Sequence, residues 1–305
     1  MIQEYINTLI DNLPEKIKSN KTPLYLDLVL DGGSFNGSYL VGAMLFLKEM
    51  EKRNYIKIKR ISGCSIGSVV GLLYFIDALD MMSELYNISR TYFKENYNLN
   101  TIKKLKILLK DKLPKDICEQ LNNNLFVTYH NIVTNEKKVR YKYKNIDDVF
   151  RSLIKSCFVP YLIDGNVTYH KKYIDGLMPY IFKIRNDRKI LYLNLISYDK
   201  ISQLINIKNE TTNLYRVFSG ILDIHYFYLK EKDTSMCSYV NDWTLRNKMF
   251  LYMKLLLEYI ILAIVKIIIY CKSLFPHNFN KTKISKNILN IVKELYTSFI
   301  RNNCI

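Results

Sequence analysis

Residues 24–30, with the sequence LYLDLVL, lead into a glycine-containing turn, DGGSFNG at residues 31–37, and then into a helical run. A mostly apolar segment of this length is typical of a strand that is covered on both faces. The same order recurs at once, because the β-branched IKIKRIS at residues 56–62 precedes GCSIG at residues 63–67 and an apolar helical run. Two successive strand, turn and helix units predict an α/β fold with a mostly parallel central sheet.

The few glycines of the chain are concentrated in and around these two turns. Seven of the ten glycines fall within forty residues, at positions 32, 33, 37, 42, 63, 67 and 71. Glycine allows tight turns and close approach of the main chain to a ligand. Both clusters lie where a strand feeds a helix, which is where α/β sheets place their sites. This edge of the sheet is therefore the predicted functional site.

The second turn, Gly63 to Gly67, has the spacing of a nucleophile elbow, G-x-S-x-G. Its setting between a β-branched strand and an apolar helix is the one that this motif requires. Ser65 would lie on the sharp turn with its hydroxyl exposed, and a Cβ at either flanking glycine would clash where strand and helix come close. The motif predicts Ser65 as a catalytic nucleophile.

The first turn, Asp31 to Gly37, presents successive main-chain N–H groups at the start of a helix. Such a geometry holds negative charge. A nucleotide-binding loop is the alternative, but the turn lacks the Lys-Ser/Thr ending of a Walker A loop, and the acidic residue of a dinucleotide site is missing from the next strand end. We therefore predict that this turn forms the oxyanion hole for Ser65.

A serine nucleophile needs a general base, and the chain has four histidines, at positions 130, 170, 225 and 277. A triad in the chain order Ser, Asp, His would need His225 or His277, but neither stands in a glycine-containing loop at a strand end. Asp175 does, because it follows a short apolar segment and precedes Gly176. A carboxylate held in a partly dry site can act as the base. Asp164, which also precedes a glycine, is interpreted as part of an ordinary turn.

These segments together resemble the patatin-like phospholipases over about residues 24–195. The family pattern D-G-G-G-x-R-G is matched by residues 31–37, G-x-S-x-G by residues 63–67, and D-G-G/A by residues 175–177. The stretch from Ser156 to Pro160 also resembles the family segment that leads to the aspartate. The resemblance implies a three-layer α/β/α fold with a helical C-terminal extension, and a Ser65–Asp175 dyad.

The resemblance also implies an activity. It predicts a metal-independent serine ester hydrolase, without a cofactor, that cleaves fatty-acyl esters of lipids as a phospholipase A or lysophospholipase through an acyl-enzyme. The implied oxyanion hole is formed by the main-chain N–H groups of Gly32, Gly33 and Ser34. The residues implied to support the motifs are Asn36, Gly37, Gly63, Gly67 and Gly176. The alternative is a catalytically weak or inactive patatin scaffold that binds membrane lipid.

Three positions depart from the family pattern. Ser34 replaces the third loop glycine, which narrows the main-chain freedom of the loop. Asn36 stands where the family has arginine, so the sequence predicts that a positive charge near the oxyanion hole is missing, although Asn36 can still donate a hydrogen bond. Leu177 replaces a small residue. We expect lower activity or a changed head-group preference, but the dyad is intact.

Hydrophobic periodicity predicts the remaining elements. Residues 1–22 are predicted to form an amphipathic helical extension, and residues 81–125 to form basic covering helices. A hairpin is predicted around Asn135 and Glu136, and a strand at residues 190–196 is predicted to close the sheet.

The last part of the chain, residues 196–305, is predicted to be basic and largely helical. Its final sixty residues, 246–305, carry ten Lys or Arg and two acidic residues, a net charge of +8. The apolar stretch from Phe250 to Cys271 is interrupted by three charged residues, Lys254, Glu258 and Lys266. We predict a helix that lies in a membrane interface with lysines reaching the head groups. A buried helix of a helical lid is the alternative.

The composition narrows the class of protein and its location. With 305 residues, 49% of them hydrophobic, the chain can bury a substantial core. The first twenty residues lack the apolar centre of a secretory signal and the six cysteines form no C-x-x-C pair, so we expect an intracellular, cytoplasmic protein with peripheral membrane association. The net charge of +17 suits an anionic membrane surface, although AT-rich coding, as in a viral member of the family, gives the same excess of lysine. No nucleic-acid-binding module is recognised, and the sequence identifies no protein partner.

Overall fold

The computed structural model describes residues 2–19, 22–274 and 283–305, and a seven-stranded mixed sheet lies at its centre. The strands are β1 Leu24–Leu30, β2 Ile56–Cys64, β3 Leu125–Asn131, β4 Glu136–Arg140, β5 Tyr173–Asp175, β6 Lys189–Leu193 and β7 Cys237–Tyr239. Their order is β4-β3-β2-β1-β6-β7, and β5 also pairs with β3. β3, β2, β1 and β6 run parallel, whereas β4, β5 and β7 are antiparallel to their neighbours. The predicted α/β class with a mostly parallel centre is confirmed.

Helices surround this sheet. The α-helices are α1 Ile2–Asp11, α2 Glu15–Lys18, α3 Gly37–Lys52, α4 Ile66–Phe75, α5 Met82–Asn96, α6 Leu105–Leu108, α7 Ile117–Leu121, α8 Ile146–Ser156, α9 Leu214–Lys230, α10 Leu245–Leu274 and α11 Lys283–Asn303. Short 3-10 turns cover Ser34–Asn36, Leu79–Met81, Asn100–Lys104, Lys110–Lys112, Ile201–Gln203 and Val240–Asp242. None of the helices in the described ranges combines the length and the apolar character that a membrane span requires.

Helices α3, α4 and α9 share one continuous apolar core with the strands. Leu26, Leu28 and Leu30 of β1 belong to this core and are fully buried. Helices α3 and α9 approach each other closely, because a Cβ on Gly42 would lie 2.0 Å from Val217 O. This packing places α9, which follows the predicted domain boundary, in the same layer as the helices of the two opening units.

The opposite face of the sheet is covered in part by α10 and in part by Phe182 and Trp243. Side chains alternate between the two faces along a strand, so Val29 of β1 and Tyr192 of β6 lie on the face opposite to the first core. They belong to a second apolar cluster. Lys254 of α10 donates to Tyr192 Oη at 3.1 Å. Farther along the helix, Val265 belongs to one buried apolar cluster with Ile174 of β5 and Val167. A helix from the C-terminal region therefore forms part of the third layer.

Two predicted elements differ from the structure. The N-terminal helix is divided into α1 and α2, because Pro14 has no N–H to continue the hydrogen-bond ladder. The sheet does not close at β6, because β7 adds to its outer edge. A strand of three residues is too short to show a period of two in the sequence. The hairpin around Asn135 and Glu136 is confirmed as β3 and β4.

Candidate active site

Ser65 lies at the junction of β2 and α4 in a strained turn. Its φ of 48° and ψ of −130° are in a region that residues with a side chain rarely adopt. A Cβ on Gly63 would lie 2.5 Å from Ser68 N, and a Cβ on Gly67 would lie 2.5 Å from Leu30 O. Both glycines are therefore required by close main-chain packing, as the geometry of a nucleophile elbow demands.

Asp175 comes beside Ser65 because β5 takes the place of β2 along the edge of β3. β2 pairs with β3 as far as Cys64 and Thr128, and the next residue of β3 pairs with Asp175. A Cβ on Gly176 would lie 2.2 Å from Thr128 O, so only glycine fits at this junction. The two strand ends bring Ser65 and Asp175 to the same cavity.

The Asp175 carboxyl is buried and retains one free acceptor. Burial raises the pKa of Asp175 to about 7, while the Leu177 N–H and the nearby Ser65 hydroxyl act in the opposite direction. Oδ1 accepts the Leu177 N–H at 2.7 Å. Oδ2 is buried, and no donor among the described residues has the geometry to hydrogen-bond to it. It is therefore available to take a proton.

Ser156 connects the Ser65 turn to β3, although no sequence motif identified it as a site residue. Its hydroxyl donates to Thr128 O at 2.6 Å and accepts the Ser65 N–H at 2.9 Å. The same segment holds Asp175, whose N–H donates to Phe158 O at 2.9 Å. The only sequence signal for this role was the resemblance of residues 156–160 to a family segment. Because its N–H is already bonded to Ser156, Ser65 does not offer it to an oxyanion.

The first turn, which we term the glycine loop (residues 31–37), lies against Ser65. A Cβ on Gly32 would lie 3.1 Å from Ser65 Cβ. The Gly32 N–H donates to the carboxylate of the preceding residue at 3.1 Å. The N–H groups of Gly33 and Ser34 have no protein acceptor within the part of the chain that the structure describes. Of the three predicted oxyanion donors, these two are free.

Ser34 occupies the position of the third family glycine with a φ of 47°, and its Oγ is buried without a hydrogen-bond partner among the described residues. A side chain in this left-handed region costs about 1 kcal/mol. We therefore expect Ser34→Gly to raise the free energy of unfolding by about 0.5 to 1 kcal/mol, as measured by urea denaturation. Ser83→Gly in helix α5, the control, should lower it by about 1 to 2 kcal/mol, because it lowers helix propensity and removes the Ser83 hydroxyl that donates to Asn213 at 3.2 Å. A loss in both variants would contradict a strained loop.

A positive charge lies beside the glycine loop, although the sequence predicted that none would be there. The charge belongs to Arg216 of α9. Asn36 is fully buried; its Nδ2 donates to Leu195 O and Lys200 O, and its Oδ1 accepts from Arg216. Arg216 is also fully buried and pairs with Glu210 at 2.8 Å. Because Glu210 compensates this charge, we interpret Arg216 as a support for the loop. Local patterns could not reveal a contact between positions 180 residues apart.

A mostly apolar cavity of about 330 Å³ opens onto the two candidate catalytic side chains. Ser65, Asp175, Gly33 and Ser34 lie at its polar end. The remaining wall is mostly aliphatic and includes Val69, Met82, Leu85, Leu105, Leu108 and Ile163. A concave apolar site with a few convergent polar groups is suited to an acyl chain attached to a polar ester.

The other candidate bases lie elsewhere. No histidine is found among the described residues that line the cavity. His225 is half-buried in α9 and His130 is buried against Glu258, while His277 lies outside the described residues. Asp164 lies in a turn, as the sequence predicted, and the structure also shows it paired with a lysine at 2.5 Å. In residues 2–19, 22–274 and 283–305, no group of three or more His, Cys, Asp or Glu side chains is arranged to hold a metal ion.

A serine on a strained strand-to-helix turn, an aspartate at the adjoining strand end and free N–H groups opposite define an α/β protein with a candidate serine hydrolase site. Residues 28–179 match the family model described as Patatin-like phospholipase. The chain belongs to this family of lipid acyl hydrolases through that domain. No curated protein matches the chain. The family match confirms the resemblance found in the sequence and says nothing about a viral origin.

Proposed function

We propose that this protein is a serine ester hydrolase that cleaves fatty-acyl esters of membrane lipids, with Ser65 as nucleophile and Asp175 as its base. The observation that carries the proposal is the free, buried Oδ2 of Asp175 at the cavity that Ser65 also lines. A carboxyl whose pKa is raised to about 7 is a base matched to neutral pH.

In the proposed first step, Asp175 Oδ2 takes the hydroxyl proton as Ser65 Oγ attacks the ester carbonyl. The N–H groups of Gly33 and Ser34 stabilise the oxyanion, and Gly32 adds a third donor when its N–H leaves the neighbouring carboxylate. Asp175 then returns the proton to the leaving alcohol, and the acyl group stays on Ser65. In the second step, Asp175 takes a proton from water, which attacks the acyl-enzyme carbonyl; as the bond to Ser65 Oγ breaks and the fatty acid leaves, Asp175 returns that proton to Ser65 Oγ. These steps need neither a metal ion nor a cofactor.

The cavity supports a lipid substrate of the phospholipase A or lysophospholipase type. Its apolar wall accepts the acyl chain, and its polar end accepts the ester. A phospholipid would yield a free fatty acid and a lysophospholipid. The net charge of +17 supports action at an anionic membrane surface by a peripherally bound protein.

A lipid-binding scaffold with weak or no turnover is the second candidate. The bond from the Gly32 N–H to its neighbouring carboxylate favours it, because this bond leaves fewer donors for an oxyanion. The buried and unpaired Oδ2 of Asp175 favours turnover, since a free buried carboxylate oxygen is costly to keep without a use.

The proposal is tested by covalent labelling with a fluorophosphonate and by fatty-acid release from mixed phospholipid vesicles with a chelator present. We expect the wild type to be labelled and to release fatty acid, and Ser65→Ala to do neither. His225→Ala, whose side chain is outside the cavity lining, should retain both. A wild type that binds vesicles but is neither labelled nor active would support the scaffold instead.

A further inference from the structure

Helix α10 buries charged residues and exposes apolar ones. Lys254 and Glu258 are only 7% and 5% exposed. Four apolar side chains that are 46% to 61% exposed form what we term the outer row: Met249, Leu256, Ile260 and Ile267. A helix that covers a sheet and faces water normally shows the opposite arrangement. The outer row therefore needs an apolar partner.

The two buried charges hold α10 in this orientation. Lys254 donates to Asp31 Oδ2 at 2.6 Å and to Asn194 Oδ1 at 2.7 Å. Glu258 accepts from Lys137 at 2.9 Å and contacts His130. Rolling the helix to bury the outer row would leave these charges without partners, at a cost of several kcal/mol. The expectation that Lys254 reaches lipid head groups is therefore wrong.

The exposed side of α10 has the layout of a helix lying in a membrane interface. The outer row forms one line along the helix, because its members are seven, four and seven residues apart, and it is about 27 Å long. Lys248 and Lys266 lie five turns apart on one side of this row, together with the exposed tyrosines Tyr252, Tyr259 and Tyr270. Tyrosine and lysine at the border of an apolar strip are typical of contact with head groups.

The charge of this surface identifies the partner. On the side of the outer row, every charged side chain that α10 exposes is positive, within the part of the helix whose side chains the structure describes: Arg246, Lys248 and Lys266. Lys272 is five turns from Lys254 and lies over the Tyr161 ring at 5.2 Å, so it belongs to the inner side of the helix. Two copies of such a surface would repel each other, whereas an anionic bilayer would attract each of them.

We propose that α10 lies flat on an anionic phospholipid bilayer, with the outer row in the acyl layer and the lysine and tyrosine border among the head groups. This inference rests on the proposed lipid hydrolase function and specifies its partner and docking surface. Lys254, on the inner side of the same helix, bonds to Asp31 at the start of the glycine loop. Helix α10 thus presents the outer row to the bilayer on one side and contacts Asp31, beside the candidate active site, on the other.

The test is flotation of the full-length Ser65→Ala protein, which binds without hydrolysing, with vesicles of phosphatidylcholine and phosphatidylserine. Adding Leu256→Asn and Ile260→Asn should lower the partition coefficient by about ten-fold or more. The matched control is Leu222→Asn with Tyr226→Asn, two α9 residues that are also four apart and are 45% and 52% exposed. This control should bind as well as the Ser65→Ala protein.

Unchanged binding after the Leu256 and Ile260 changes would overturn the inference. A dimer of the parent protein that these changes dissociate, with no binding to vesicles, would also overturn it and assign the surface to a second copy. Equal binding to pure phosphatidylcholine would contradict the anionic partner.

In the wild-type background, the double variant should hydrolyse a soluble short-chain ester within about two-fold of the wild type. A protein that binds as expected but hydrolyses no ester would count against the proposed function alone.

Discussion

Asp175→Asn is expected to lower kcat for a soluble short-chain ester by about 10³-fold, with little change in KM. An amide cannot take the proton of Ser65, whereas the apolar cavity and the free N–H groups of the glycine loop are unchanged. Ser65→Ala should lose at least as much activity, because it removes the nucleophile. Initial rates, with circular dichroism to confirm folding, provide the measurement.

Asp164→Asn is the matched control for Asp175→Asn, since Asp164 also precedes a glycine but lies in a turn paired with Lys103. Its kcat should stay within about two-fold of the wild type, because Asp164 does not line the cavity and its partly exposed ion pair contributes little to stability. A folded Asp175→Asn protein with wild-type kcat would exclude Asp175 as the base.

The pH–rate profile of the wild type should report the ionisation of the Asp175 carboxyl. Burial raises the pKa of Asp175 to about 7, so kcat should increase with pH through about 7 as the base loses its proton. The folded pKa is also above the ordinary value of 3.8, so the unfolded chain loses this proton first. The Asp175 contribution should therefore make the folded state less stable as pH rises from about 4 to 7, and Asp175→Asn should lack that dependence. A kcat that is constant between about pH 5 and 9 would contradict this assignment.

Lys254→Met is expected to lower the free energy of unfolding by about 3 to 5 kcal/mol. The change leaves the Asp31 carboxylate, which is fully buried, without its ammonium partner at 2.6 Å. Removing one member of a buried ion pair is costly because an uncompensated charge stays in the protein interior. Urea denaturation at pH 7 gives the measurement.

Two further variants separate the ion pair from the helix that carries it. Adding Asp31→Asn to Lys254→Met should restore part of the lost stability, because no unpaired charge is then buried. Lys266→Met, on the exposed side of the same helix, should change stability by no more than about 0.5 kcal/mol. If Lys254→Met and Lys266→Met were equally stable, the buried pair would not anchor α10.

Residue types and their spacing along the chain were enough to predict the local features of the site. Gly63 and Gly67 had to flank Ser65 because the turn brings main-chain atoms of strand and helix together within a few residues. The departure at Ser34 was visible in the same way, and the structure shows its positive φ. The position of Asp175 also followed from a local cue, a carboxylate before a glycine after a short apolar segment, although its role as base stays a prediction. Each of these features depends on residues that are close in sequence. Their spacing and residue type therefore suffice to predict the local backbone geometry.

The long-range partners and the orientation of α10 could not be predicted from the sequence. Lys254 meets Asp31 from 223 positions away, and Arg216 meets Asn36 from 180 positions away. The stretch from Phe250 to Cys271 is apolar on nearly all sides, so its sequence has no period that shows which face is buried. That choice depends on where Lys254 and Glu258 find partners, because a buried charge without a partner costs more than exposed apolar side chains do.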